Sequence, residues 1–314
     1  MRRWSAAIIL LFVTAAPRVA RADYNLVIYQ LGDPGTDPSS PANQRFRMLG
    51  NELGTSLSGA VLEPAETLGA DGFAFDFEYT FALINASQAI QGQPFWVTAS
   101  PNPGLLMLPS LHFRKGLPYS LEIGGKVDTL TNSGLFAGTA EVRWGIVEGF
   151  TYLPDLMARF AMTRLFGQQD MDVTTGVLGL SIGKQFGVAG MATLAPYAGY
   201  QAIGIDSSSR VLLTNQAQIT QENYAKCPAG NVNGGAATCQ PPAGDPTFTQ
   251  ALFNENQPFG AQPNLYNDLY LGLQFQTAIV TLALEYAYDW AMHADGIQNA
   301  EPLQQLSLSA GLAF

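Results

Sequence analysis

The stretch from Gly72 to Leu83, GFAFDFEYTFAL, alternates apolar and polar side chains and constrains the fold more than any other part of the sequence. Its aromatic residues fall on every second position, with Asp76, Glu78 and Thr80 between them. Because successive side chains of a β-strand point to opposite faces, the stretch predicts a strand with one aromatic and one acidic face. Such a strand suits either a soluble β-sandwich with an aromatic core or a closed barrel with its aromatic face in lipid.

The same period of two recurs along the chain and predicts ten strands. Their ranges are 72–84, 105–115, 117–129, 134–148, 155–166, 172–184, 190–206, 264–276, 278–291 and 303–314. Several reach the length of about 9 to 11 residues that a tilted strand needs to cross a bilayer. Residues 24–30 and 93–99 would add a further pair, so the strand number stays open between ten and twelve.

The polar faces of these strands favour a membrane barrel over a sandwich. They carry charged and polar residues that we predict to face the lumen: Asp76, Glu78, His112, Arg114, Glu122, Lys126, Glu141, Arg143, Arg159 and Glu285. A sandwich with an aromatic core explains the alternation but not so many consecutive long strands. The predicted fold is therefore all-β, an antiparallel transmembrane barrel of about ten strands with lipid-facing aromatic residues and a hydrophilic lumen.

The first 22 residues have the features of a secretory signal peptide. A basic start, Met1-Arg2-Arg3, precedes an apolar run at 6–16, and Ala20 and Ala22 supply the small residues of a cleavage site. The run is too short for a transmembrane helix, which needs about 20 apolar residues. We expect the mature chain to begin near Asp23.

Composition and cysteine content narrow the partners. Removing the signal peptide leaves a net charge of about −14, so nucleic acid is not an expected partner. Cys227 and Cys239 lie in the Gly- and Asn-rich stretch CPAGNVNGGAATC, where an oxidising compartment favours a local disulfide. A zinc site would need further ligands, and neither His112 nor His293 lies in this segment. No metal and no organic cofactor are expected.

The last strand, LSLSAGLAF, places Leu306, Leu308, Leu312 and Phe314 on one face. With the signal peptide and the strand pattern, this ending resembles the outer-membrane β-barrel proteins of Gram-negative bacteria, whose last strand ends in an aromatic residue that the assembly machinery reads. The resemblance implies localisation in the bacterial outer membrane, with lipid, lipopolysaccharide and the barrel assembly machinery as partners. It identifies an architecture and no specific family.

In such barrels the C-terminus lies in the periplasm and short periplasmic turns alternate with longer outer loops. The barrel would span 72–314, with residues 207–263 as a long extracellular loop and the segment 23–71 as a periplasmic or plug segment. Ser40 and Pro41 predict the start of a short helix in that segment. This helix would lie at the periplasmic mouth or enter the lumen, and an even number of strands would place the N-terminus in the periplasm.

Three functions remain open at this stage. The leading one is a narrow channel or an uptake protein for a small solute, and the second is a structural or recognition barrel that displays the 207–263 loop. The third is an outer-membrane hydrolase built around His112, near Ser110, or around His293. No recognised catalytic motif supports the third, so we do not expect an enzyme.

Overall fold

Ten long antiparallel strands form the wall of the protein. The computed structural model describes residues 24–31, 39–98, 104–168, 171–188, 190–209, 212–213, 250–251, 264–291 and 302–314. The strands are β1 (Phe73–Leu83), β2 (Leu105–Leu117), β3 (Leu121–Thr129), β4 (Phe136–Val147), β5 (Asp155–Phe166), β6 (Met171–Gly183), β7 (Ala192–Ser209), β8 (Asn264–Thr277), β9 (Val280–Ala291) and β10 (Leu303–Ala313).

The sheet closes into a barrel. Consecutive strands are neighbours around the wall, and β10 pairs with β1 to complete the circle, with Phe77 opposite Ala310. This confirms the predicted antiparallel barrel of ten strands. The twelve-strand alternative does not form, because residues 28–31 make a short 3-10 helix and Leu26 makes only an isolated bridge with Thr98.

The strands alternate between buried and exposed side chains, as their sequence pattern predicts. In β4 the side chains of Glu141 and Arg143 are buried, whereas Val142 and Trp144 between them are exposed. An exposed face made of large apolar residues is suited to hydrocarbon, and the buried polar face lies in the lumen. The barrel therefore has the inside-out polarity of a membrane-spanning wall.

The connections differ in length at the two ends of the barrel. The end that we call the short-turn end carries the described residues 118–120, 148–154, 184–188, 190–191 and 278–279 and Phe314. At the other, the long-loop end, lie the described residues 84–98, 104, 130–135, 167–168 and 302, and the strands that the sequence connects through 210–263 end and begin there. Strand β3 begins at Leu121 rather than at the predicted 117, because Tyr119 and Ser120 form a turn with positive φ angles of 67° and 56°.

Short elements accompany the wall. Phe186–Val188 pairs with β7, Ala89–Ile90 pairs with Gln93–Pro94, and Leu212–Leu213 pairs with Gln250–Ala251. These pairings add small hairpins at the barrel ends and leave its strand number unchanged.

The predicted N-terminal helix is present as α1 (Pro41–Ser58). Ser40 caps it, since its hydroxyl accepts the backbone N–H of Asn43 at 3.3 Å, and Pro41 occupies the first turn. Among the described residues, no helix is both long and apolar enough to cross a membrane.

Within the segment before β1, helix α1 lies inside the barrel, one of its two predicted positions, but the first described residues do not lie where the strand count suggested. Tyr24 donates its backbone N–H to the carbonyl of Asn132, and Asn25 accepts the N–H of Gly134, both at the long-loop end. The prediction placed the N-terminus at the opposite, periplasmic end. With an even number of strands, β1 must begin at the end where β10 finishes, the short-turn end. The strand number does not determine the position of the residues before β1. The residues before it are numerous enough to run back through the whole barrel.

Candidate functional site

The lumen is occupied by the protein's own N-terminal segment. Helix α1 packs against the inner face of β7, where Gly50 faces Ser207 and Gly54 faces Ile205. A methyl group added at Gly54 would lie only 2.7 Å from the Cγ2 atom of Ile205. The two glycines, one turn apart, therefore allow the helix to approach the wall closely, although glycine lowers the intrinsic stability of a helix by up to about 1 kcal/mol relative to alanine.

The long-loop half of the lumen is a hydrophobic core built around α1. Phe46, Leu49, Leu53 and Leu57 of the helix are all nearly inaccessible to solvent. They belong to one cluster with inward side chains of the wall, namely Leu106, Leu108, Ala137, Ala161, Leu165, Met171, Val173, Val177, Ile203, Ile205, Tyr266 and Leu303. Burial on this scale stabilises the helix in place at roughly 25 cal/mol per Å² of apolar surface. This half of the barrel is packed like the interior of a soluble domain.

A loop closes the long-loop end above the helix. Trp96 is buried and donates its indole N–H to Glu52 of α1 at 2.6 Å, and Asn85 donates its side-chain amide to the same carboxylate at 2.7 Å. Arg45 donates to the carbonyls of Leu31 and Ile90. The loop after β1 and the residues before α1 are thus joined to the helix by buried and partly buried hydrogen bonds.

Residues 59–72 continue from α1 toward the short-turn end as an extended thread along the lumen. Both oxygens of Glu285 accept backbone N–H groups of this thread, from Val61 at 2.9 Å and from Leu62 at 2.8 Å. The guanidinium of Arg143 donates to the carbonyl of Pro64 at 2.8 Å. Wall side chains therefore satisfy a backbone that has no secondary-structure partner of its own.

Glu63 is the centre of a buried charge network. Its carboxylate lies 2.5 Å from Arg114 Nε, 2.5 Å from Arg143 Nη1 and 3.3 Å from His112 Nδ1. Glu122 joins the same two arginines, at 3.3 Å from Arg114 and 2.8 Å from Arg143. A carboxylate of the thread thus neutralises cations of the wall, which is the condition for burying such charges without a large penalty.

His112 links this centre to the rest of the network. Its Nδ1 lies 2.8 Å from Glu78 and its Nε2 lies 3.0 Å from Glu141. Glu141 also accepts from Arg159 at 2.7 Å, and Lys126 lies 3.5 Å from Glu78. Both signs of charge are therefore interleaved across neighbouring strands.

The structure brings most of the predicted lumen residues together. All ten are buried, and nine belong to the network around Glu63, namely Asp76, Glu78, His112, Arg114, Glu122, Lys126, Glu141, Arg143 and Arg159. Glu285 lies outside this network and instead accepts hydrogen bonds from the backbone of the thread. The sequence interpretation missed Glu63 itself, although a lone acid in the apolar run GAVLEPA was a visible signal. It also omitted Glu52, Asp268 and Asp289 from the site residues.

One group of side chains has the composition of a metal site. Ligand atoms of Glu63, Glu78 and His112 all lie within 4.8 Å of one another. The positive charges of Arg114 and Arg143 already pair with Glu63, and they would oppose a cation at this position. The donor set thus fits an internal ion-pair network better than a metal centre.

The residues proposed for a hydrolase do not form a nucleophile with its base. The Ser110 hydroxyl donates to Asp128 at 2.6 Å, and both ring nitrogens of His112 bind glutamates. A base has to be within hydrogen-bond reach of its nucleophile. His293 lies outside the described residues, as do Cys227 and Cys239, so the disulfide stays a prediction.

Phe314 lies at the seam between the first and last strands. Its backbone exchanges two hydrogen bonds with Phe73, at 2.7 and 2.9 Å, and the two rings stack with centroids 5.9 Å apart. These contacts anchor the end of the chain on the outer face of the barrel. The role of Phe314 as an assembly signal stays a prediction.

An apolar outer face, a closed antiparallel wall and a polar inner face define a transmembrane β-barrel of the kind found in bacterial outer membranes. No family model and no curated protein matches the chain. Several solved structures are similar to this chain at low identity. Ail, the attachment invasion locus protein of Yersinia pestis, is 11% identical over 78% of this chain and 99% of its own, with a TM-score of 0.26.

Two further solved structures are similar at the same level. The β-domain of the Bordetella autotransporter BrkA is 9% identical over 78% of this chain and 100% of its own, with a TM-score of 0.38. OmpT, an outer membrane protein of Vibrio cholerae, is 12% identical over 67% of this chain and 56% of its own, with a TM-score of 0.26.

Proposed function

We propose that the protein is a closed outer-membrane barrel that acts through its long-loop face, as a structural or recognition protein, and not through an open channel. The observation that carries this proposal is the filled lumen. Helix α1 and the thread after it occupy the barrel from one end to the other, and their contacts are buried. A permeating solute would have to displace a hydrophobic core in one half and an ion-pair network in the other.

The long-loop face is the part of the barrel that remains available for a partner. Three of its connections, 84–104, 210–263 and 292–302, are the longest inter-strand stretches of the sequence, and the 210–263 segment alone is longer than any strand. Lipid and lipopolysaccharide would surround the apolar wall, and the barrel assembly machinery would insert it. The partner of the face is a macromolecule or surface outside the cell.

A gated passage for a small solute is the second candidate function. It is favoured by the continuity of residues 41–72, which enter the wall only at β1 and so form one movable unit. Such a gate would have to release the contacts of Glu63 and Glu285 together. The two proposals therefore differ in whether α1 leaves the wall during activity.

A disulfide between α1 and the wall separates the two candidates. In a variant with Cys227→Ser and Cys239→Ser, the changes Gly54→Cys and Ile205→Cys place two thiols at a close helix-to-wall contact. The matched control carries only Ile205→Cys, which leaves Gly54 in place at the contact. Purified proteins would be inserted in planar bilayers and recorded with and without a reductant.

If the barrel is closed, neither the control nor the locked variant should give conductance steps, with or without reductant. Stepwise conductance in the control and in the reduced double variant, lost on oxidation, would instead establish a gated passage. Conductance that persists in the oxidised variant would contradict both proposals, because current would then pass a fixed helix.

A further inference from the structure

The charges of the lumen are unevenly distributed. The buried basic residues of the wall lie on β2 to β5, at His112, Arg114, Lys126, Arg143 and Arg159. The opposite wall, β8 and β9, carries the buried acids Asp268, Glu285 and Asp289. Within the part of the chain that the structure describes, no ion pair includes any of these three acids. Glu285 accepts hydrogen bonds from two backbone N–H groups, whereas Asp268 and Asp289 accept none from the described backbone.

Asp268 and Asp289 are cross-strand neighbours. They occupy directly opposed positions of β8 and β9, and their side chains are only 4% and 1% exposed. Directly opposed residues of antiparallel strands have Cβ atoms about 4.5 to 5.5 Å apart, and like charges there are destabilising. Two buried carboxylates at this separation require a neutralising partner.

Each carboxylate is held by one glutamine and keeps one oxygen unused. Gln201 donates to Asp268 Oδ2 at 3.0 Å, and Gln305 donates to Asp289 Oδ2 at 2.9 Å. The Oδ1 atoms of both aspartates are buried without a hydrogen-bond partner among the described residues. The glutamines fix the orientation of the carboxylates as outer-shell groups do at metal sites.

Helix α1 approaches Asp289 at Thr55. The side-chain amide of Gln305 that donates to Asp289 also donates to the backbone carbonyl of Thr55 at 3.4 Å, so one amide links the helix to this aspartate. Thr55 is fully buried, and within the described residues its hydroxyl has no hydrogen-bond partner. A hydroxyl oxygen has lone pairs that can coordinate a cation, so Thr55 offers a ligand in addition to the two carboxylates.

We propose that Asp268 and Asp289, with Thr55, bind one calcium ion between the plug helix and the β8–β9 wall. Two carboxylates balance a divalent charge, and a set of oxygen ligands selects a hard cation. Calcium tolerates irregular coordination, whereas magnesium demands a nearly ideal octahedron. Asp289 lies two residues from the end of β9 at the long-loop end, so the ion would enter from the outside medium.

Calcium titration of the full-length protein in an uncharged detergent tests this site. After treatment with EDTA and removal of the chelator, calcium should raise the midpoint of thermal unfolding saturably, because an ion that binds only the folded state stabilises it by mass action. Calorimetric titration should give one site per barrel. Magnesium should produce a smaller shift at equal concentration.

The variants Asp289→Asn and Asp268→Asn/Asp289→Asn should lose the saturable response to calcium. Asp206→Asn is the matched control, because Asp206 is an exposed aspartate of β7, and it should respond like the wild type. The double variant should also be less dependent on calcium for its folding, since it no longer has opposed charges.

Terbium luminescence gives a readout on the wild type that does not need the variants to fold. Terbium in the site should be sensitised by Tyr266, which faces the lumen two residues before Asp268, and calcium should compete it away. Tyr266→Phe should lower the emission without changing the calcium midpoint. A wild type with no saturable response to calcium between pH 5.5 and 8 would overturn the proposal in favour of a proton shared by the carboxylates. A response kept in the double variant would overturn it as well.

Discussion

Arg143 of the wall and Glu63 of the thread form a buried ion pair, with 2.5 Å between Nη1 and Oε2. The pair joins two parts of the chain that are far apart in sequence, and both side chains are almost completely inaccessible. It is therefore a direct link between the barrel and the segment that fills it.

Glu63→Gln should destabilise the folded barrel by about 3 kcal/mol, because it removes one of the two carboxylates that the buried guanidinium groups of Arg114 and Arg143 share and leaves Glu122 as their common counter-charge. Urea-induced unfolding of the refolded protein, followed by tryptophan fluorescence, measures the change. Arg164→Gln is the control, since the Arg164–Asp172 pair is exposed and should contribute about 0 to 1 kcal/mol. Equal effects of the two substitutions would show that Glu63 does not hold the thread.

The side of the membrane reached by the N-terminal segment can be read by cysteine labelling. In a variant without Cys227 and Cys239, Gln30→Cys lies at the long-loop end and Tyr119→Cys lies at the short-turn end, and both positions are exposed. An impermeant maleimide added to intact cells should label Gln30→Cys and not Tyr119→Cys. The opposite labelling would reverse the orientation of the barrel.

Glu66 should give the protein a weak dependence on pH. Burial raises the pKa of Glu66 above its ordinary value of 4.5, Asp155 and Glu148 raise it further, and Lys184 lowers it. The folded state therefore holds this proton more tightly than the unfolded chain. Stability should rise as the pH falls from neutral through the raised pKa, and the gain should be complete below about 4.5.

Glu66→Gln should remove this slope and stabilise the protein at pH 7 by less than about 1 kcal/mol, because Glu66 is only partly buried. Unfolding midpoints between pH 4 and pH 8 measure the slope, and Asp71→Asn, an exposed change in the nearby turn, is the control. A steeper slope in Glu66→Gln than in the wild type would contradict the sign.

The outer face of β1 can be tested by placing a charge in it. Phe77 lies in the middle of the strand and is exposed on the outside of the barrel. Phe77→Arg should destabilise the protein in lipid vesicles by about 2 to 4 kcal/mol, as a charge does near the bilayer midplane. Phe77→Leu should have a much smaller effect on the same unfolding curve. If both variants unfold like the wild type, the residue does not contact hydrocarbon.

The wall of the barrel could be predicted from the sequence because its determinants are local. In the stretch around Phe77 and Glu78, the side chain of each residue already indicates which solvent it faces. The largest change of a boundary, from 117 to 121 at the start of β3, results from the turn at Tyr119 and Ser120, and the other boundaries moved by no more than three residues. The helix was also predictable, since Ser40 and Pro41 provide a start signal without any distant contact.

The path of the thread could not be predicted in the same way. Glu285 binds the backbone of Val61 and Leu62 across more than 220 residues of sequence, and no local pattern encodes such a pairing. Gly50 and Gly54 have a low intrinsic preference for a helix, yet they allow α1 to pack closely on β7. Tertiary contact overrode local preference at these positions.

Hydrogen bonds between β1 and β10 seal the wall around a segment that precedes β1 in the chain. That segment is synthesised before every strand, and β10 is synthesised last among the strands. The segment is therefore available before the wall can close. Pairing of the final strand with β1 then closes the wall. Formation of the seam therefore encloses the segment, and a barrel that closed without it would have to reopen before the segment could enter.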